Sequence, residues 1–379
     1  MKKPARSVDS DVLRQLKDAG AESELLDLRL AFMELEGIAR YLRKLVGRAR
    51  VHPHMLPTQA SGRWSTTNPP LVNFPAHAEE ECDRCVALKE RGEPLPEWCP
   101  RAVREVILPD EGWWWFHFDL NAIEGRWGAA DAGDEEELDA YRKNEDVHTV
   151  LGAVPMFGMS PPPIRTKAIH TSDDPDSVAW RRAWSPPWGG IEDRRRHLAK
   201  TLKYATLYGK DHRGAGTAKG VEKLKNSDGS KMTKSDVERF AKIYLKARPV
   251  LTRHKARRFE EYARTCVSYT FRGRRRRLFG DAWVRAKEGW SHRLQGAVPD
   301  VMNDYIIQIA REFPEGYIIL NSHDGLTWAM PFVSQERVNE VVAWVRQIVE
   351  RDWNYDGRMV PVAADWEIIW PSGRKDRLK

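Results

Sequence analysis

Six ring-bearing residues in a row, Trp113-Trp114-Trp115-Phe116-His117-Phe118, run directly into Asp119. No stretch constrains the fold more. A continuous apolar run cannot alternate between core and water, so it reads as a β-strand buried on both faces. The chain then needs cover on both sides of a sheet, and 379 residues suffice for two or three subdomains around one. Asp119 closes the strand, and a helix-like turn follows. Such an Asp is either a helix N-cap or a carboxylate fixed at a sheet edge to hold a divalent cation.

A second acid stands in a comparable place. Apolar segments flank Asp324-Gly325, a strong hairpin signal, and His323 precedes it. Asp324 is either an ordinary turn residue or a second strand-end carboxylate.

Residues 194–209 read as one helix, with Gly209 where it would stop. At ~100° per residue, Arg196, Lys200, Tyr204 and Tyr208 form one stripe, while Leu198, Leu202 and Ala205 fall on the opposite, core-facing side. With a rise of ~1.5 Å per residue, Arg196 and Tyr204 stand ~12 Å apart. That span matches the reach from a triphosphate tail to its base. Cations suit phosphate oxygens and an aromatic face suits a base. The plainer alternative is an amphipathic surface helix with solvated charges.

The formal charge of +7 is a mild bias, but it is gathered in arginine runs at 194–196 and 272–277. The second run, in Tyr269-Thr270-Phe271-Arg272-Gly273-Arg274-Arg275-Arg276-Arg277, places cations beside a turn and reads as a phosphate clamp. Four cysteines make no disulfide framework in this length, so a reducing, cytoplasmic setting is expected. Cys82-x-x-Cys85 with Cys99 and His77 is a donor set for a structural Zn²⁺; alternatively, residues 76–106 are a charged surface insertion with incidental cysteines. No apolar run approaches a membrane span, and Met1-Lys2-Lys3-Pro4 has no apolar stretch behind it, so no membrane partner and no secretory signal are expected. Residues 8–48 and 233–264 read as helical, residues 159–192 as a Pro-rich loop or insertion, and the tail as a helix near 334–351 and a strand near 362–370.

Taken in order, these stretches resemble the family A DNA polymerases, the group that includes bacterial DNA polymerase I. Arg196-x-x-x-Lys200-x-x-x-Tyr204-x-x-x-Tyr208-Gly209 is similar to that family's motif B. Asp119-Leu120-Asn121-Ala122-Ile123-Glu124-Gly125-Arg126 is similar to motif A, and His323-Asp324 to motif C, with Gly325 replacing the usual Glu. Ser61-Gly62-Arg63-Trp64-Ser65 and Gln295-Gly296 resemble primer–template segments, with Ser291 and Lys287 where the family usually has Asn and Arg.

The resemblance implies an α+β fold: a right-hand palm with an antiparallel sheet and a helical fingers subdomain. It implies N-terminal helices at 1–57, palm at 58–152 and 269–379, and fingers at 153–268. It implies template-directed addition of dNTPs to a primer 3′-OH with two Mg²⁺ ions held by Asp119 and Asp324. Glu124, His148, Arg196, Lys200, Tyr204 and Tyr208 would meet the nucleotide. Glu124 would crowd a ribose 2′-OH. Arg63, Arg274, Arg275, Lys287, Gln295 and His323 would meet primer–template DNA. With little length for a thumb and none for an exonuclease, no proofreading and a possible second chain or larger parent polypeptide are expected. The rivals are a catalytically weak or silent nucleic-acid-binding subunit, which Gly325 keeps open, and a single-subunit RNA polymerase, against which Glu124 and Tyr204 argue.

Overall fold

A computed structural model describes residues 24–47, 50–57, 59, 61–73, 107–184, 194–210 and 232–378. Helix α1 (Glu24–Arg43) leads to a small antiparallel pair, β1 (His54–Leu56) and β2 (Ser65–Thr67). The aromatic run forms β3 (Trp113–Leu120), with Trp114, Phe116, Phe118 and Leu120 buried and Asp119 exposed. After a left-handed Ala122, φ 52°, the chain enters α2 (Ile123–Ala132), then α3 (Glu135–Arg142), capped by Asp134. A π-helical turn, Thr149–Ala153, runs into α4 (Val154–Phe157).

Helix α5 (Pro175–Trp184) lies inside the stretch expected to be a loop. Asp174 accepts from the Ser177 amide at 2.9 Å and Pro175 opens the first turn, so part of that Pro- and Asp-rich composition marks a helix start. Helix α6 (Arg194–Leu207) is the expected amphipathic helix, and Gly209 beyond it adopts φ 84°. The helical stretch near 233–264 is two helices, α7 (Lys234–Ala247) and α8 (Pro249–Thr265). They break at Arg248 because Pro249 has no amide hydrogen to continue the ladder.

Strands β4 (Val267–Tyr269) and β5 (Arg275–Arg277) form the arginine hairpin, followed by α9 (Ala282–Gln295) and α10 (Ala297–Glu312). Next come β6 (Tyr317–Ser322), β7 (Gly325–Pro331) and α11 (Gln335–Val349), the last capped by Ser334. The chain closes with β8 (Trp353–Tyr355), β9 (Arg358–Val360), β10 (Ala364–Ile369) and β11 (Lys375–Leu378).

The central sheet is antiparallel throughout, in the order β11-β10-β3-β7-β6, so the aromatic strand sits in the middle. The architecture is the expected α+β arrangement. One apolar core joins the sheet to α2, α9, α10 and α11; a second gathers α4, α5, α6 and α7. Helix α6 contributes to both: Leu198, Leu202 and Ala205 to the second core and Leu207 to the first.

The β6–β7 hairpin departs from its expected geometry by one residue. Ser322 pairs with Gly325, so the loop is His323-Asp324 and the left-handed residue is His323, φ 72°. Gly325 is instead the first rung of β7, where an added Cβ would lie 3.1 Å from the Phe118 carbonyl oxygen. The glycine permits close strand approach rather than turning the chain.

Candidate active site

Asp119 and Asp324 converge at one end of the two central strands. Asp119 is the register partner of Gly325, and the Leu120 amide donates to the Asp324 carbonyl at 2.9 Å. Burial pushes the Asp324 carboxyl above its ordinary value, against the pull of the Arg63 charge. That is the condition of a half-buried acid short of positive charge. Asp365 faces Asp119 from β10, the other neighbour, and accepts from Asn121 Nδ2 at 3.1 Å. Sequence patterning did not single it out, because only strand register brings it there.

Among the described residues, no three His, Cys, Asp or Glu side chains stand close enough to enclose an ion by themselves. Two oxygen-donor acids on a rigid sheet nonetheless fit Mg²⁺, which keeps waters and takes substrate phosphates to complete its shell.

Helix α6 brings the tyrosine end of its polar stripe to this end. Leu198, Leu202 and Ala205 are buried beneath it, while Lys200 is exposed and Arg196, Tyr204 and Tyr208 are partly so. The Tyr204 and Tyr208 rings lie 6.0 Å apart, and His148 lies 6.1 Å from Tyr204. Beyond burial, Tyr204 is close enough to feel the charges of Glu124 and Asp324, so the aromatic end of the helix stands near the acids. Burial raises both tyrosine hydroxyls well above their ordinary value, so they stay protonated and can donate.

Glu124 lies buried at the start of α2, ion-paired with Arg63 and accepting from the Tyr208 hydroxyl. Burial raises its carboxyl more than these partners lower it. Arg63 Nε, Glu124 Oε2 and His148 Nδ1 are buried without a hydrogen-bond partner. Here Arg63, expected at the duplex, is held by Glu124.

His148 lies among cations in a buried setting. Burial, then the charges of Lys203, Arg196 and Lys200, hold it well below its ordinary value. It is therefore neutral near pH 7, a hydrogen-bonding group rather than a cation.

The reverse face of α6 is tied down by charge. Lys203 pairs with Glu137 and donates to the Tyr141 hydroxyl at 2.6 Å, all buried. Arg248 donates to Glu137 and Asp134, both at 2.7 Å. This network links α6, α3 and the α7–α8 junction, and helical periodicity gave no sign of it.

Of the residues expected at DNA, Lys287 and Gln295 line an open cleft of about 310 Å³ together with Gln59, Ser61 and Ser291. Arg275 is exposed and His323 sits in the turn beside Asp324. Arg274 is otherwise engaged: it donates to Asp300 at 2.6 Å and to the Ser61 and Gly296 carbonyls at 2.7 and 2.6 Å. Its donors brace the hairpin: alternation from Arg274 into β5 leaves Arg274 and Arg276 half-buried and Arg275 and Arg277 exposed. The zinc donor set His77, Cys82, Cys85 and Cys99 lies outside the described residues. No described helix is long and apolar enough to cross a membrane.

A family model described as DNA polymerase family A matches residues 1–168. The thermostable DNA polymerase I of Thermus thermophilus is 25% identical over 368 residues, which are 92% of this chain and 36% of that protein. DNA polymerase I of Bacillus subtilis is 22% identical over 383 residues, 96% of this chain and 36% of that protein. The chain thus spans little more than a third of the length of these curated relatives. Among solved structures, the POL domain of Pol1 from M. smegmatis in complex with DNA primer-template and dNTP aligns with a TM-score of 0.65. It covers 97% of this chain and 56% of that one at 17% identity, a likeness of fold.

Proposed function

This chain is a relative of the family A DNA polymerases, and we propose that it acts as one, adding dNTPs to a primer 3′-OH under the direction of a template. The observation that carries the reading is the meeting of Asp119, at the end of β3, with Asp324, in the turn that leads into β7, near the tyrosine end of a helix striped with two cations and two tyrosines. We assign the palm to residues 58–152 and 269–379 and the fingers to 153–268. The described residues are assigned no editing site.

In this reading Asp119 and Asp324 would hold two Mg²⁺ ions, which when bound would acidify the 3′-OH and offset charge at the reacting phosphate. Arg196 and Lys200 bind and orient the triphosphate, adding the positive charge that its leaving end requires. Neutral His148 hydrogen-bonds a phosphate oxygen. Tyr204 stacks on the sugar–base region, and Tyr208 stands near the templating base. Glu124 fills the space that a ribose 2′-OH would need. Lys287, Gln295 and exposed Arg275 meet the primer–template. Arg63 reaches the duplex once it leaves Glu124.

Primer extension with Mg²⁺ and dNTPs, against the same reaction with rNTPs, tests the reading. Extension that prefers dNTPs is the expected result. A preference for rNTPs replaces it with an RNA polymerase. No extension with any divalent metal, alongside intact DNA binding, replaces it with a silent binding subunit, the alternative that Gly325 keeps open.

A further inference from the structure

Arg196 is not a loose surface cation. Its Nε and Nη2 donate to Asp146 Oδ2 and Oδ1 at 2.6 and 3.1 Å. Asp146 is itself built in, with its side chain 2% exposed. Thr149 Oγ1 donates to its Oδ2 at 2.7 Å, and His170 Nε2 stands 3.1 Å from the same oxygen. Its amide donates to the Arg165 carbonyl at 2.7 Å. The acid is thus fixed from four sides, two residues before His148.

We propose that Asp146 is the positioning residue of Arg196, clamping the Nε–Nη2 edge of the guanidinium so that Nη1 is turned toward a nucleoside triphosphate. The inference rests on the polymerase reading only for the identity of that ligand. An arginine side chain free in water loses rotamer freedom when it binds phosphate. A guanidinium already held along one edge has lost that freedom beforehand. The cost is that the carboxylate offsets part of the cation's charge. The two effects oppose each other, which makes the sign of the experiment informative.

The test is equilibrium binding of dATP with Mg²⁺ to the full chain by titration calorimetry, with KM and kcat for single-nucleotide incorporation alongside. Asp146→Asn should weaken dATP binding roughly three- to tenfold, the loss from freeing one long side chain. KM should rise in step, and kcat should fall by a similar or smaller factor, because Arg196 also supplies charge at the leaving end. In an Arg196→Ala background the same substitution should add nothing, because Asp146 acts through Arg196.

If Asp146→Asn does not fold, the isosteric Thr149→Val removes one bond to Oδ2 and should give a smaller shift in the same direction. The proposal is overturned by unchanged or tighter dATP binding in the folded variant. A loss that adds fully to that of Arg196→Ala also overturns it. A wild type that binds dATP but does not extend sinks the polymerase reading, while the order of affinities still decides this one. A wild type that binds no dATP overturns both.

Discussion

Asp119 and Gly325 are cross-strand partners so close that a Cβ at 325 would lie 3.0 Å from Asp119 Oδ1 and 2.8 Å from Ser322 Oγ. No side chain can be added there without moving the carboxylate. Gly325→Ala should therefore shift the carboxylate by a few tenths of an ångström and slow extension by roughly three- to tenfold, a fraction of the loss for a full ångström. Single-turnover incorporation at saturating Mg²⁺, beside a melting curve, checks it. A variant as fast as wild type would show that the carboxylate tolerates the shift.

Asp119→Asn and Asp324→Asn each remove one charged donor of the proposed metal site. Each should reduce Mg²⁺-dependent extension by a factor on the order of a thousand. Affinity for primer–template, read by fluorescence anisotropy, should stay within about threefold, since neither acid attracts phosphate. Equal losses of DNA binding would instead assign these acids a structural role.

Glu124→Ala opens the space under the proposed sugar site and frees Arg63. Discrimination against rNTPs, measured as the ratio of kcat/KM values, should drop by roughly ten- to a hundredfold, the range for a steric contact of this size. Unchanged discrimination would remove Glu124 from sugar selection.

Acid should loosen the α2 region through Asp131. Burial would raise its carboxyl, but the bond with His254 and the charge of Arg293 outweigh that and hold it below its ordinary 3.8. A depressed native value means that the contribution is fully present above pH ~4 and lost as pH falls below it. Wild type should lose stability in urea between pH 5 and 3 more steeply than Asp131→Asn. Parallel curves for the two proteins would contradict this.

Lys203→Ala leaves buried Glu137 with Arg248 as its remaining ion-pair partner. Removing one member of a buried pair costs about 3–5 kcal/mol, and Arg248 should hold the loss near the lower figure. Urea denaturation of the single and double variants with Glu137→Gln measures it; the double variant should recover part of the loss.

Elements whose signal is local were legible in the sequence. The aromatic run could only be a covered strand, α6 showed its stripe and its glycine stop, and Ser334 caps α11. Asp324 lay at the hairpin turn, one position off in register, because Asp-Gly is a turn signal that cannot weigh a third strand pressing on the glycine. What stayed hidden depends on contacts between distant segments. Asp365 reaches Asp119 by register across 246 positions (365 minus 119), Asp146 holds Arg196, and Lys203 finds Glu137 behind the helix. Periodicity reports which face of a helix is apolar, not which buried charge waits opposite.

Helix α6 is rooted in the sheet's core at Leu207 and in the second core at Leu198, Leu202 and Ala205. It is therefore pinned at both ends, near the tyrosines by the first core and near the cations by the second core and by the grip of Asp146 on Arg196. Arg196 is eleven residues from Leu207, ~16 Å along the axis, so the two anchors hold cations and rings at a set separation. Such a helix works as a ruler: whatever charge sits against its first turn and whatever ring sits against its last are kept one fixed span apart.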